Sequence, residues 1–81
     1  MKTDSISPQQ CRAARGWLGW TLDNLAEASS VSKATLVPFE QGKRLLQTRT
    51  ARDIRRAFED VGIEFQFEGA RGVGIRMRPV D

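Results

Sequence analysis

Two periods of hydrophobicity divide the chain. Up to Val61 the apolar residues recur at helical spacing: Cys11, Ala14 and Leu18; Leu22, Leu25 and Ala26; Val31, Leu36 and Phe39; Ile54, Ala57, Phe58 and Val61. From Ile63 the interval shortens to two. Ile63, Phe65 and Phe67 alternate with Glu64, Gln66 and Glu68, and Val73, Ile75 and Met77 alternate with Gly74, Arg76 and Arg78. The first pattern predicts four short helices, each with one inward stripe; the second predicts a β-hairpin split by Gly69-Ala70-Arg71-Gly72. The expected fold is mainly α, a four-helix unit over residues 6–62 followed by a hairpin over 63–81, with residues 1–5 as a flexible polar tail.

Capping residues place the boundaries. Ser7, Pro8 and Gln10 fit the N-cap, first and third positions of a helix, forming an S-x-x-Q capping box, with Ile6 and Cys11 as a hydrophobic staple. Gly19 suits a left-handed stop. Thr21 caps the second helix, with Asp23 in its first turn, where negative charge suits the helix dipole. After the short turn Ser29-Ser30-Val31, Ser32 caps the third helix and Gly42 closes it. Leu45 to Arg49 connects to a fourth helix capped by Thr50, and Gly62 ends that one. Pro79 stops the second strand.

Composition narrows the chemistry. A chain of 81 residues holds one modest core, so a partner subunit is expected. It has one cysteine and no histidine, which excludes an internal disulfide, His-based metal sites and Ser-His or Cys-His nucleophiles. No paired acid–base or metal constellation is present, so neither an enzyme nor a cofactor is expected. No apolar run is long enough to span a membrane, and no signal-like segment precedes the domain, which favours the cytoplasm.

The overall charge of +3 is less informative than its distribution. Residues 1–40 are neutral, 41–56 carry net +5, 57–70 carry −4 and 71–81 carry +2. The basic run comprises Lys43, Arg44, Arg49, Arg52, Arg55 and Arg56 against Asp53. A phosphate backbone is a natural partner for such a run; a solvated helix face is the plainer alternative.

Two short helices joined by a tight turn and followed by a basic segment form a helix-turn-helix arrangement. The stretch W-T-L-D-N-L-A-E-A-S-S-V-S-K-A-T-L-V-P-F-E-Q-G-K-R, Trp20 to Arg44, resembles the XRE-type regulators, the Cro and phage-repressor class. Leu25, Ala26, Val31, Ser32, Leu36, Glu40, Gly42 and Arg44 match that family's pattern. The likeness extends upstream through C-R-A-A-R-x-x-L-G-W and downstream through R-R-A-F-E-x-x-G-I-E-F, covering roughly Ile6 to Phe67. It implies a Cro/repressor-like helix-turn-helix bundle that binds double-stranded DNA as a transcriptional regulator.

The resemblance also assigns roles. It places the third helix in the major groove, with Ser32, Lys33, Ala34, Thr35, Val37 and Pro38 toward the bases. It gives phosphate contacts to Thr21, Lys43, Arg44, Arg49, Thr50 and Arg52, at or near the starts of the second and fourth helices. It pairs Arg15 with Glu40 as a structural ion pair, although Arg15 as a phosphate contact stays open.

At three places the chain departs from the family pattern. Leu22 stands where a phosphate-binding Gln is usual. Ser30 replaces a turn glycine, at a cost of roughly 1–2 kcal/mol if it is left-handed. Val37-Pro38 replaces residues that are usually polar, and proline inside a helix costs about 3 kcal/mol. Either the third helix is short and kinked with a working front turn, or this surface has become a protein-binding face.

The apolar hairpin face (Ile63, Phe65, Phe67, Val73, Ile75 and Met77) must cover something, because an isolated hairpin is marginal in water. It packs on the chain's own first and fourth helices, or it pairs across a two-fold axis in a homodimer suited to a palindromic site. Trp17 and Trp20 are interface or core residues on the same two readings. The expected function is a DNA-binding regulator, a repressor acting as a homodimer. An antiactivator or antitoxin that binds a regulatory protein partner through the same scaffold is the alternative.

Overall fold

A reciprocal capping box starts the first helix, α1 (Pro8–Leu18). Gln10 N donates to Ser7 Oγ at 3.0 Å, and Ser7 N donates to Gln10 Oε1 at 2.9 Å. Proline at the first position loses no bond there, since that N–H has no helical partner. Gly19, at φ 69°, stops the helix, and Trp20 N donates back to Arg15 O. These assignments come from a computed structural model that describes residues 5–79. The expected tail, apart from Ser5, and the last two residues of the hairpin segment lie outside the described residues.

A second box, Thr21 with Asn24, opens α2 (Leu22–Ser29), and Ser32 caps α3 (Lys33–Glu40). The turn between them keeps Ser30 left-handed at φ 61°, a conformation that disfavours any residue with a Cβ. Val31 follows it into the core. The third helix runs through Pro38 without a break, and Gly42 at φ 76° closes the chain behind it.

The fourth helix, α4 (Thr48–Glu59), departs from expectation at both ends. Its N-cap is Gln47, which makes no side-chain capping bond, and Thr50 lies inside the first turn. Burial of Ala51 is the physical reason. The apolar stripe of Ala51, Ile54, Ala57 and Phe58 begins a turn earlier than the sequence pattern indicated, and Ala51 N donates to Gln47 O. At the far end Val61 is exposed, because the helix stops at Glu59 and Gly62, at φ 100°, turns the chain away.

Strands β1 (Ile63–Glu68) and β2 (Arg71–Met77) form an antiparallel hairpin about Gly69-Ala70. Ile63 pairs with Met77, Phe65 with Ile75 and Gln66 with Gly74. Phe67 then pairs with Gly72, so the register shifts at Val73. A bulge leaves one residue of the longer strand unpaired; here it takes Val73 out of the expected alternation, and Val73 is exposed.

The hairpin lies on its own helices: β2 against α1 and β1 against α4. Ile63 and Phe65 are buried, while Phe67, Ile75 and Met77 pack on the core edge. Phe58 joins the layers, stacking on Trp20 at 5.5 Å between ring centroids and meeting Phe65 edge-on at 5.8 Å. Trp20 is therefore half-buried core, whereas Trp17 is exposed.

One buried amide fastens helix to hairpin. Gln10 Nε2 donates to the carbonyls of Gln66 (2.8 Å) and Gly74 (2.9 Å). Its carboxamide fills the space where a side chain at residue 72 would stand, since a Cβ on Gly72 would lie 1.9 Å from Gln10 Oε1. Gly72→Ala is thus expected to destabilise the fold by about 1–3 kcal/mol, read from the urea midpoint. The same change in a Gln10→Ala background should cost much less. Simple addition of the two costs would show that Gln10 is not what excludes the side chain.

Candidate nucleic-acid interface

The two halves of α3 differ in exposure. Leu36, Phe39 and Glu40 are buried, Val37 and Pro38 are half-buried, and Ser32, Lys33 and Ala34 are exposed with Thr35 intermediate. A helix with apolar anchors on one face presents its opposite face to solvent. Of the residues expected to face bases, Ser32, Lys33 and Ala34 sit on the open side, while Thr35, Val37 and Pro38 are partly covered.

Several of those residues are already engaged. Ser32 Oγ accepts from Thr35 N at 3.3 Å and donates to Thr35 Oγ1 at 3.2 Å. Lys33 Nζ lies 3.0 Å from Asp23 Oδ1 on α2, and both side chains are well exposed. Such a surface pair is weak and opens readily, so Lys33 is tethered but available. The sequence pattern named Asp23 only as a helix-dipole residue; its pairing with Lys33 depends on the angle between α2 and α3. Gln41, exposed at the C-cap of α3 one turn beyond Pro38, is a polar group that sequence reasoning passed over.

A buried ion pair sets the tilt of α3. Arg15 Nε and a terminal nitrogen of Arg15 donate to the two carboxylate oxygens of Glu40, both at 2.7 Å. Arg12 donates to the main-chain carbonyl of Glu40, and the Cys11 thiol donates to Glu40 Oε2 at 3.1 Å. A further Arg15 nitrogen reaches Trp20 O at 3.0 Å, just before α2. Arg15 and Glu40 thus form the ion pair that the resemblance implies. Burial works to raise the Glu40 pKa, but the hydrogen bonds from Arg15 and Cys11 and the positive charges of Arg15 and Arg12 outweigh it and hold the pKa below the ordinary 4.5. For Cys11, burial and then the bond to Glu40 push the thiol pKa far above its ordinary 9.0, so it stays a neutral donor.

The basic segment follows directly. Lys43 N donates to Pro38 O at 2.9 Å, which folds the connection back against the end of α3. Lys43, Arg44, Arg49 and Arg52 are exposed, and Thr50 is intermediate. Thr21 is exposed, with its hydroxyl used by Asn24 N. Arg44 also borders an apolar groove of about 260 Å³ between Ile6, Phe39, Leu46 and Ala51, with Leu45, 94 % exposed, on its rim. Arg55 is held inward instead, bonded to Glu59 at 2.8 Å and lying 5.2 Å over the Phe67 ring. Because Gln47 supplies no side-chain cap, the first N–H groups of α4 lack one, unlike those of α1, α2 and α3.

Among the described residues, no group of three or more Cys, Asp or Glu is placed to hold a metal ion, and no helix is long and apolar enough to cross a membrane. No protein-family model matches the chain, and no curated protein matches it.

With its folded pKa depressed, Glu40 contributes stability that is present above its unfolded pKa and lost as pH falls through the folded value. Glu40→Gln is expected to cost about 3 kcal/mol near neutrality, because it leaves Arg15 unpaired in a largely buried site. The gap between the two proteins should narrow as pH drops below 4.5. Urea unfolding across that range checks this; a gap independent of pH would remove Glu40 as the titrating group.

Proposed function

We propose that the chain is an XRE-type, Cro/repressor-like helix-turn-helix regulator that binds double-stranded DNA, and that α3 is its recognition helix. The observation that carries this reading is the division of α3: an exposed front, Ser32 to Ala34, on a back half locked to α1 by Arg15 and Glu40. A reading helix needs both, a polar face free to meet base edges and a fixed angle of presentation. Lys33 donates to guanine O6 or N7 after leaving Asp23, Ser32 and Thr35 offer hydroxyls to bases or phosphates, and Ala34, Val37 and Pro38 offer apolar contact to thymine methyls. The exposed Lys43, Arg44, Arg49 and Arg52, with Thr21 at the start of α2 and Thr50 in the first turn of α4, supply the phosphate grip.

In this reading the protein is a cytoplasmic repressor acting as a homodimer, since one small unit buries little surface on DNA. Ile63 and Phe65 are already consumed by the chain's own core, so a hairpin-mediated contact falls to the outer residues Val73, Ile75 and Met77. Leu45, exposed on the rim of an apolar groove, favours a second reading in which the same scaffold binds a regulatory protein, as an antiactivator or antitoxin would.

Titration against duplex recovered from a random library, at several salt concentrations, tests the first reading. A specific complex should form whose affinity falls steeply with salt, as counterions are released. Lys33→Ala should relax sequence preference at one position by roughly 1–3 kcal/mol, whereas Arg52→Ala should weaken all sequences alike and flatten the salt slope by about one unit. Absence of binding at low salt would count against a DNA regulator and for the protein-binding alternative.

A further inference from the structure

We infer that the main-chain carbonyl of Ala34 is itself a base-reading group, accepting a hydrogen bond from the exocyclic amino group of adenine or cytosine in the major groove. The inference rests on the DNA-binding reading above. In an α-helix each carbonyl receives the N–H four residues on. For Ala34 that residue is Pro38, which has no N–H. The Ala34 carbonyl therefore lacks its helical donor within a helix that runs on from Lys33 to Glu40.

Its position suits reading. Ala34 is exposed, and Ala34, Pro38 and Gln41 fall at i, i+4 and i+7, one stripe of α3. The hydroxyls of Ser32 and Thr35 bond each other, and Lys33 is tethered to Asp23 by a surface pair, so the carbonyl adds an acceptor that these side chains do not duplicate. The Ala34 side chain is a methyl group, which lets a base edge approach the backbone.

The chemistry makes such a carbonyl selective. In water it is satisfied by solvent. Against a base edge it must find a donor or bear the penalty of an unpaired polar group. Adenine N6 and cytosine N4 are the major-groove donors, while guanine O6 and thymine O4 present acceptors at the corresponding places. Loss of a helical hydrogen bond at Pro38 thus becomes a preference for amino-bearing bases.

The test uses the full chain and the duplex it selects. Adenines are replaced one at a time by purine lacking the 6-amino group, and cytosines by 2-pyrimidinone. At one position per half-site the wild-type protein should lose about five- to tenfold in affinity. Pro38→Ala supplies the missing N–H and should become insensitive to that replacement. N-methylalanine at position 38, introduced by chemical synthesis, lacks both ring and N–H and should keep the sensitivity. Gln41→Ala should keep it too.

Specific binding with no dependence on any amino group would overturn the inference alone. So would sensitivity that survives in Pro38→Ala, vanishes with N-methylalanine, or disappears with Gln41→Ala, which would assign the contact to the carboxamide. If Pro38→Ala binds no DNA, the N-methylalanine and Gln41→Ala proteins still decide between carbonyl, ring and carboxamide. Failure of the wild-type chain to bind any duplex specifically would overturn the DNA-binding reading and this inference with it.

Discussion

The contact between Arg15 and Glu40 is the constraint on which the arrangement of helices depends. One carboxylate, buried between α1 and α3, receives both arms of a guanidinium and a thiol hydrogen bond. The same arginine holds the carbonyl of Trp20 at the entry to α2. Three helices are therefore indexed to a single charged group. An ion pair of this kind adds little net stability over a well-packed apolar substitute, because desolvation offsets most of the attraction. Its effect is on geometry, since a planar guanidinium meets a carboxylate side-on in few orientations.

That indexing explains how α3 accommodates proline. A kink is costly when the helix ends are free to diverge, but here Leu36, Phe39 and Glu40 bind the back half to the core. Lys43 N then closes onto Pro38 O from beyond the helix. What Pro38 removes is one helical donor, the N–H that would have met the Ala34 carbonyl.

Much of this was legible in the sequence because it is local. Ser7 with Gln10, Gly19, Thr21 and Ser32 each satisfy or redirect backbone groups within a few residues, so their meaning survives without the fold. The Arg15–Glu40 pair came from the resemblance to a family, not from spacing. What escaped depends on tertiary geometry. Thr50 is as good a cap as any in isolation, yet burial of Ala51 draws the helix start back to Gln47. Val73 fits a perfect alternation, yet the bulge displaces it. The Lys33–Asp23 pair and the second role of Gln10 join residues on different elements, which no periodicity can reveal. The charge run marked the exposed cations correctly but could not distinguish Arg55, which turns inward onto Phe67 and Glu59.

Gln10 has a consequence for how the chain comes apart. Chain ends usually fray first, at almost no cost, while central elements hold. Here the amide that caps the first helical turn also grips both strands of a hairpin 56 and 64 residues away. Releasing the start of α1 removes the clamp on the hairpin, and opening the hairpin leaves the Gln10 amide nitrogen without its two acceptors. The first turn of α1 and the hairpin thus belong to one cooperative unit, and slow amide exchange should extend across both together.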